Sequence, residues 1–167
     1  MSIFLYKSRF IIAICFALAL LLSGCKKEGQ TQDPNSALQY YFSQNILNRD
    51  FVVQLATDTV KLATDTTYGV LHDITARYAG YTFVLSNDTS YLNGPMTGRK
   101  TGQTTITGTW SCNNDYSKLQ INLISPFVPQ EFIFLNRAWK FTKKAIPIME
   151  LAPWGTTDPK VLHMQRL

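Results

Sequence analysis

Gln103-Thr104-Thr105-Ile106-Thr107-Gly108-Thr109-Trp110 is the stretch whose reading decides the fold. Successive side chains of an extended chain point to opposite faces. Ile106, Gly108 and Trp110 therefore share one face, and Thr105, Thr107 and Thr109 the other. That is the pattern of a strand with one side in a core and one side in water. After a polar run through Asn113-Asn114-Asp115, which reads as a turn, residues 118–123 repeat the alternation, with Leu119, Ile121 and Leu123 on one face. Two such strands joined by a short turn form an antiparallel hairpin.

The texture of this hairpin extends over most of the chain. Of its 18 threonines, 17 lie after residue 50, interleaved with Val, Ile, Tyr and Phe, a composition that favours strands. Alternation and turn residues predict further strands over 51–59, 67–72, 80–85, 89–92, 131–135, 138–142, 146–151 and 161–166. Turns are expected at Ser86-Asn87-Asp88 and Asn93-Gly94-Pro95, and the segment from Gly94 to Gly102 reads as a hairpin loop. Eight to ten short strands at roughly 8 to 12-residue spacing predict an all-β, antiparallel up-and-down barrel, with a β-sandwich as the alternative. No segment of crossover length separates them, so a parallel α/β sheet is excluded. One short helix precedes the strands. Leu38, Tyr41, Phe42, Ile46 and Leu47 recur at helical spacing, Pro34 with Asn35 or Ser36 starts it, and Asn48 ends it. Its apolar stripe is expected to pack on the barrel.

The chain of 167 residues begins differently. Lys7 and Arg9 precede an apolar run from Phe10 to Leu22, too short for a helix that spans hydrocarbon but of the length of a secretory core region. Leu22-Ser23-Gly24-Cys25 follows. This resembles the lipobox of bacterial lipoproteins, in which small residues fit the peptidase cleft and the cysteine thiol accepts diacylglycerol. The resemblance implies that residues 1–24 are a signal peptide, that Cys25 is the lipid-attachment residue, and that residues 25–34 form a polar tether ahead of a barrel domain at 35–167. Several acyl chains anchor stably where one does not. The implied address is the cell envelope, with the outer membrane as destination and membrane lipid as a partner. Cys15 leaves with the signal and Cys25 is acylated, so Cys112 has no partner and no disulfide framework is expected.

Lys7 and Arg9 also leave, which lowers the net charge from +5 to +3. Spread along the chain, that is a poor footprint for nucleic acid, which needs clustered Lys and Arg.

Lipobox, polar tether, short helix and Thr-rich meander together resemble the lipocalin-like lipoproteins of diderm bacteria. The residues that carry the likeness are Tyr81-Thr82-Phe83-Val84, Gly108-Thr109-Trp110 with Asn113-Asn114-Asp115 and Leu119, Asn136-Arg137-Ala138-Trp139, and Val161-Leu162-His163-Met164. The likeness implies a calycin-type barrel. The Gly-x-Trp pattern that marks secreted lipocalins near their first strand is missing here.

An eight-stranded barrel is just wide enough to be filled by side chains or to hold one small ligand. Trp110, Phe132, Phe134, Trp139 and Phe141 are the large residues that decide between the two, and Trp110, Phe134 and Trp139 are the candidates to line an interior site for a small hydrophobic ligand. The other expectation is a filled barrel that serves as an accessory subunit of an envelope assembly. Catalysis is not expected. No Gly-x-Ser-x-Gly, His-x-x-x-His or Cys-x-x-Cys occurs, and a metal site would need His72, Asp73 and His163 to converge. Asp58, Asp65 and Asp73 sit in Thr-rich turns without the spacing of a calcium loop. Neither a metal nor another cofactor is expected. Two further features stand out. Leu55-Ala56-Thr57-Asp58-Thr59 recurs as Leu62-Ala63-Thr64-Asp65-Thr66, which reads as an insertion lengthening one loop. Trp154, beside a glycine and between Pro153 and Pro159, either caps the barrel end or anchors a partner.

Overall fold

The computed structural model describes residues 34–59, 63–67, 69–88, 90–125 and 132–167. The expected signal peptide, Cys25 and the tether lie outside the described residues. The helix α1 spans Pro34–Asn45. It is followed by β1 (Asp50–Asp58), β2 (His72–Asp73), a one-turn 3-10 helix (Thr75–Tyr78) and β3 (Thr82–Leu85). The chain continues with β4 (Asn93–Arg99), β5 (Ile106–Cys112), β6 (Lys118–Ser125), β7 (Ala138–Lys143), β8 (Ile148–Pro153) and β9 (Val161–Arg166).

Every adjacent pair from β3 to β9 is antiparallel, and β1 joins both ends of the series. It pairs with β3 through Asp50–Val84 and Phe51–Phe83, and with β9 through six residue pairs from Phe51–Arg166 to Thr57–Val161. Eight strands thus close into an up-and-down barrel, with β2 a short addition to the outer end of β1. The β1–β9 ladder rules out the sandwich.

The alternation read in β5 and β6 is the one that builds the core. Ile106, Trp110, Leu119, Ile121 and Leu123 are buried, whereas Thr107 and Thr109 face solvent. Gly108 faces the bulge where the register shifts against β6. A Cβ there would stand 2.2 Å from the Asn122 carbonyl oxygen and 2.5 Å from Leu123 Cα, so only glycine lets the two backbones approach.

The seam between β1 and β3 is short, and the chain between them completes it. The Ile74 N–H donates to the Ala56 carbonyl at 2.8 Å, and the Thr75 hydroxyl accepts from the Ala56 N–H at 2.9 Å. Backbone groups of β1 that have no strand beside them are satisfied in this way.

Five sequence expectations are corrected. Asn93-Gly94-Pro95 is not a turn, nor is the stretch from Gly94 to Gly102 a loop: residues 93–99 are β4, and the hairpin turn follows at Lys100–Gln103 with Gly102 at φ +76°. Gly94 is needed because a Cβ would lie 2.1 Å from the Ser86 carbonyl oxygen, and Pro95 keeps its place because its carbonyl accepts from Ser86 N–H at 2.9 Å. Residues 90–92 are a bend, not a strand, and of the described residues in the strand expected over 67–72 only His72 is extended. Phe132 to Leu135 forms a tight turn closed by a Leu135 N–H to Phe132 carbonyl bond of 3.0 Å, where a strand was expected.

Substituting Gly108→Ala is expected to lower unfolding free energy by roughly 1–3 kcal/mol through overpacking. Thr107→Ala, on the outer face of the same strand, should stay within about 0.5 kcal/mol. Urea titration of both checks the bulge; equal midpoints would remove it.

Candidate functional site

Both ends of the barrel are closed by aromatic side chains. At the first end, formed by the α1–β1, β3–β4, β5–β6 and β7–β8 connections, α1 lays Phe42 into the mouth. Its ring lies 4.8 Å from Tyr116, 5.6 Å from Trp110 and 6.1 Å from Phe141. Ile46 and Leu47 follow it into the core. Asn48 stops the helix at φ +55°, and its N–H donates to the Leu85 carbonyl at 2.8 Å. The Tyr41 hydroxyl donates to the Lys144 carbonyl and ties the helix to the β7–β8 loop.

The second end is filled from loops. Tyr78, the last residue of the 3-10 turn, packs 5.8 Å from Phe132 and 6.4 Å from both Phe83 and Phe134. Tyr81 meets Phe132 at 5.0 Å. The 132–135 turn directs Phe132, Phe134 and Leu135 inward and leaves Ile133 exposed. Period-two aromatics therefore do line the interior, but from a turn.

The three candidate ligand-lining residues fall into these two groups. Phe134 and Trp139 are brought together, 5.3 Å apart, with the Arg137 guanidinium 5.1 Å from the first ring and 5.4 Å from the second. Trp110 belongs to the Phe42 cluster at the other mouth. Both indoles are buried, and each N–H is used: Trp139 donates to the Leu135 carbonyl at 3.0 Å and Trp110 to the Ser86 carbonyl at 2.7 Å. Among the described residues no buried side-chain nitrogen or oxygen lacks a hydrogen-bond partner. The described residues therefore give the interior hydrocarbon and ring surface, with no free polar atom among them to recognise a polar molecule. Sequence reasoning missed Tyr78. The signal available was Ile74 and Tyr78 four apart after Asp73, whose carboxylate accepts the Thr75 N–H at 2.8 Å and caps the turn. The Thr75 hydroxyl first, and then its N–H, hold the Asp73 carboxyl below its ordinary pKa.

The titratable residues do not converge. His72 Nε2 lies 2.8 Å from Asp65, Asp58 pairs with Lys160 at 3.2 Å, and His163 sits on β9 opposite Leu55 and Glu150. Among the described residues no group of three or more His, Cys, Asp or Glu is placed to hold a metal ion. Cys112 is beneath the first mouth. Burial pushes its thiol up to about 12, with the Lys144 charge opposing and Asp115 adding to the shift. Lys144 is itself lowered by burial, and its ammonium stands 5.3 Å from the Phe141 ring. Trp154 is 37% exposed, lies on the outer face beyond β8, and has the Lys118 ammonium 5.8 Å from its ring.

Comparison with protein-family models, with curated proteins and with solved structures returns no match for this chain.

Two outcomes follow from this geometry. Phe42→Ala should cost about 3–5 kcal/mol, the range for deleting a buried ring, while Trp154→Ala should stay within about 0.5 kcal/mol; equal losses in thermal unfolding would place Trp154 in the core. For Cys112, a thiol raised on folding stabilises the fold at pH below its unfolded value, near 9, and that contribution is lost as pH climbs toward 12. Wild type should therefore lose stability more steeply than Cys112→Ala above pH 9, measured by denaturant titration across that range. Parallel slopes would mean an exposed thiol.

Proposed function

We propose that this chain is a lipid-anchored, lipocalin-like lipoprotein of a bacterial cell envelope, tethered through Cys25 and non-catalytic, whose barrel is filled and works as an accessory subunit through its outer surface. The observation that carries this reading is the double aromatic closure: Phe42 among Trp110, Tyr116 and Phe141 at one mouth, and Tyr78 among Phe83, Phe132 and Phe134 at the other. A ligand entering by either mouth must displace rings that are already in contact. Filling of this kind is one of the two solutions open to eight strands. The lipobox and the two following lysines support the envelope address, with the outer membrane as destination.

A second reading has its own support. Met96, Met149 and Met164 are all buried in the barrel, and methionine is the residue that repacks most readily around a guest. With no free polar atom inside among the described residues, such a guest would be a small hydrophobic molecule, held between Trp110 at one mouth and Phe134 with Trp139 at the other.

One experiment separates these. The protein purified from its native membrane is weighed under non-denaturing and denaturing conditions. A filled barrel gives the same mass in both, equal to the chain from Cys25 onward plus its acyl chains. A small molecule of reproducible mass released on denaturation overturns the filled reading and gives the ligand class. A chain without acyl mass overturns the anchor.

A further inference from the structure

Helix α1 is unusual for an element that covers a barrel mouth. Its twelve residues, PNSALQYYFSQN, carry no charge, whereas a helix on a protein surface normally shows charged residues to water. Phe42 and Ile46 face the core, and Tyr40, about 200° around the helix from Phe42, points away from it. Tyr40 is 68% exposed, and Ala37 and Gln44, on the same side, are exposed as well. Tyr91, 45% exposed, belongs to the same mouth: its carbonyl accepts the hydroxyl of Tyr116, the ring on which Phe42 packs. This face is thus neutral and tyrosine-bearing, and tyrosine is the residue enriched where apolar and aqueous phases meet.

The tether enters at this helix. Eight residues separate Cys25 from Pro34, which limits the distance from acylated cysteine to helix start to about 30 Å. A link so short keeps the effective concentration of the helix at the bilayer in the millimolar range, so a contact too weak to recruit the free domain still holds the tethered one. Charge does not drive it. At the strand ends and connections of this mouth, Arg49, Lys118, Lys143, Lys144 and Arg166 stand against Asp50, Asp88, Asp115 and Glu150, close to balance.

We propose that the outer face of α1 docks on the lipid surface, with Tyr40 at headgroup level. The helix-plugged mouth then lies against the membrane, and the mouth built by the β1–β3 and β6–β7 loops is presented away from it. This rests on the anchored reading above.

The test uses the full acylated chain in phosphatidylcholine vesicles, with a nitroxide at Ala37→Cys or Gln44→Cys, or at Thr101→Cys in the opposite β4–β5 turn, all in a Cys112→Ala background. Collision with lipid-soluble oxygen relative to an aqueous nickel complex should rise several-fold at positions 37 and 44 on reconstitution and stay level at 101. Adding Tyr40→Asp, at an exposed position the fold does not use, should return position 37 toward its value without lipid. If the acylated chain floats with vesicles but positions 37 and 44 behave like 101, docking is overturned and the anchor stands. A chain that carries acyl groups yet does not float, or carries none, removes the anchor and the docking together. Immobilisation at 37 and 44 that grows with protein concentration in the absence of lipid gives this face to a second copy and overturns the proposal.

Discussion

The ladder between β1 and β9 turns a meander of strands into a barrel, and the rest of the molecule answers to that closure. Once the last strand pairs with the first, no long edge is left to template another chain, but a fixed interior is enclosed that has to be occupied. A closed sheet of eight strands has room for side chains from its own wall, or for those and one small guest. The wall contributes Phe51, Phe83, Met96, Trp110, Ile121, Trp139, Leu151 and Met164, all almost fully buried. The open ends cannot be filled from the wall, because strands stop there. They are filled by elements outside the ladder, a helix at one end and two tight turns at the other. The β1–β3 seam shows the same dependence. Only two residue pairs join those strands, and the segment bearing Ile74 and Thr75 supplies the missing hydrogen bonds while carrying Tyr78 to the mouth.

How much of this could be read in advance depends on whether a residue's role is set by its own strand or by a neighbour distant in sequence. β5, β6 and β9 were legible because each alternates between core and water, and β9 runs over the same residues expected for it, 161–166. The helix was legible from spacing and caps. β4 was not. Gly94-Pro95 is turn chemistry locally, and its place in a strand comes from Ser86, whose carbonyl needs the space a side chain would occupy. The 132–135 segment failed for a different reason. A tight turn also sends residues two apart to the same side, so Phe132 and Phe134 mimic a strand. Only the absence of room for another rung beside β6 distinguishes them: Asn136 takes that place, its side chain bonding both the N–H and the carbonyl of Leu123, at 2.7 and 2.9 Å.

The candidate site was legible in residue type but not in arrangement. Trp110 and Trp139 do face inward, as large apolar residues on alternating strands should, and Phe134 does so from a turn. What composition cannot show is that they divide between two mouths, or that Phe42 and Tyr78 complete the rings around them. Those partners lie 68 residues before Trp110 and 54 before Phe132, and nothing local connects them.

The repeated pentapeptide illustrates why a barrel of this kind tolerates change in its loops. Lengthening a loop costs little, because closure entropy grows only with the logarithm of its length. The copied carboxylate is the expensive part, since a charge placed near a core has to be paired. Asp58, in the first copy, sits on β1 and meets Lys160 at 3.2 Å. Asp65, in the second, has a side chain only 8% exposed and meets His72 at 2.8 Å. His72 is in turn the cross-strand neighbour of Asp58 in the β1–β2 pairing. Each copy thus has its own cationic or hydrogen-bonding partner, and β2 carries the one that meets the second copy. The β1–β2 connection is thus tied to the wall through the Asp65–His72 contact, while the barrel beneath is held by the ladder and the rings.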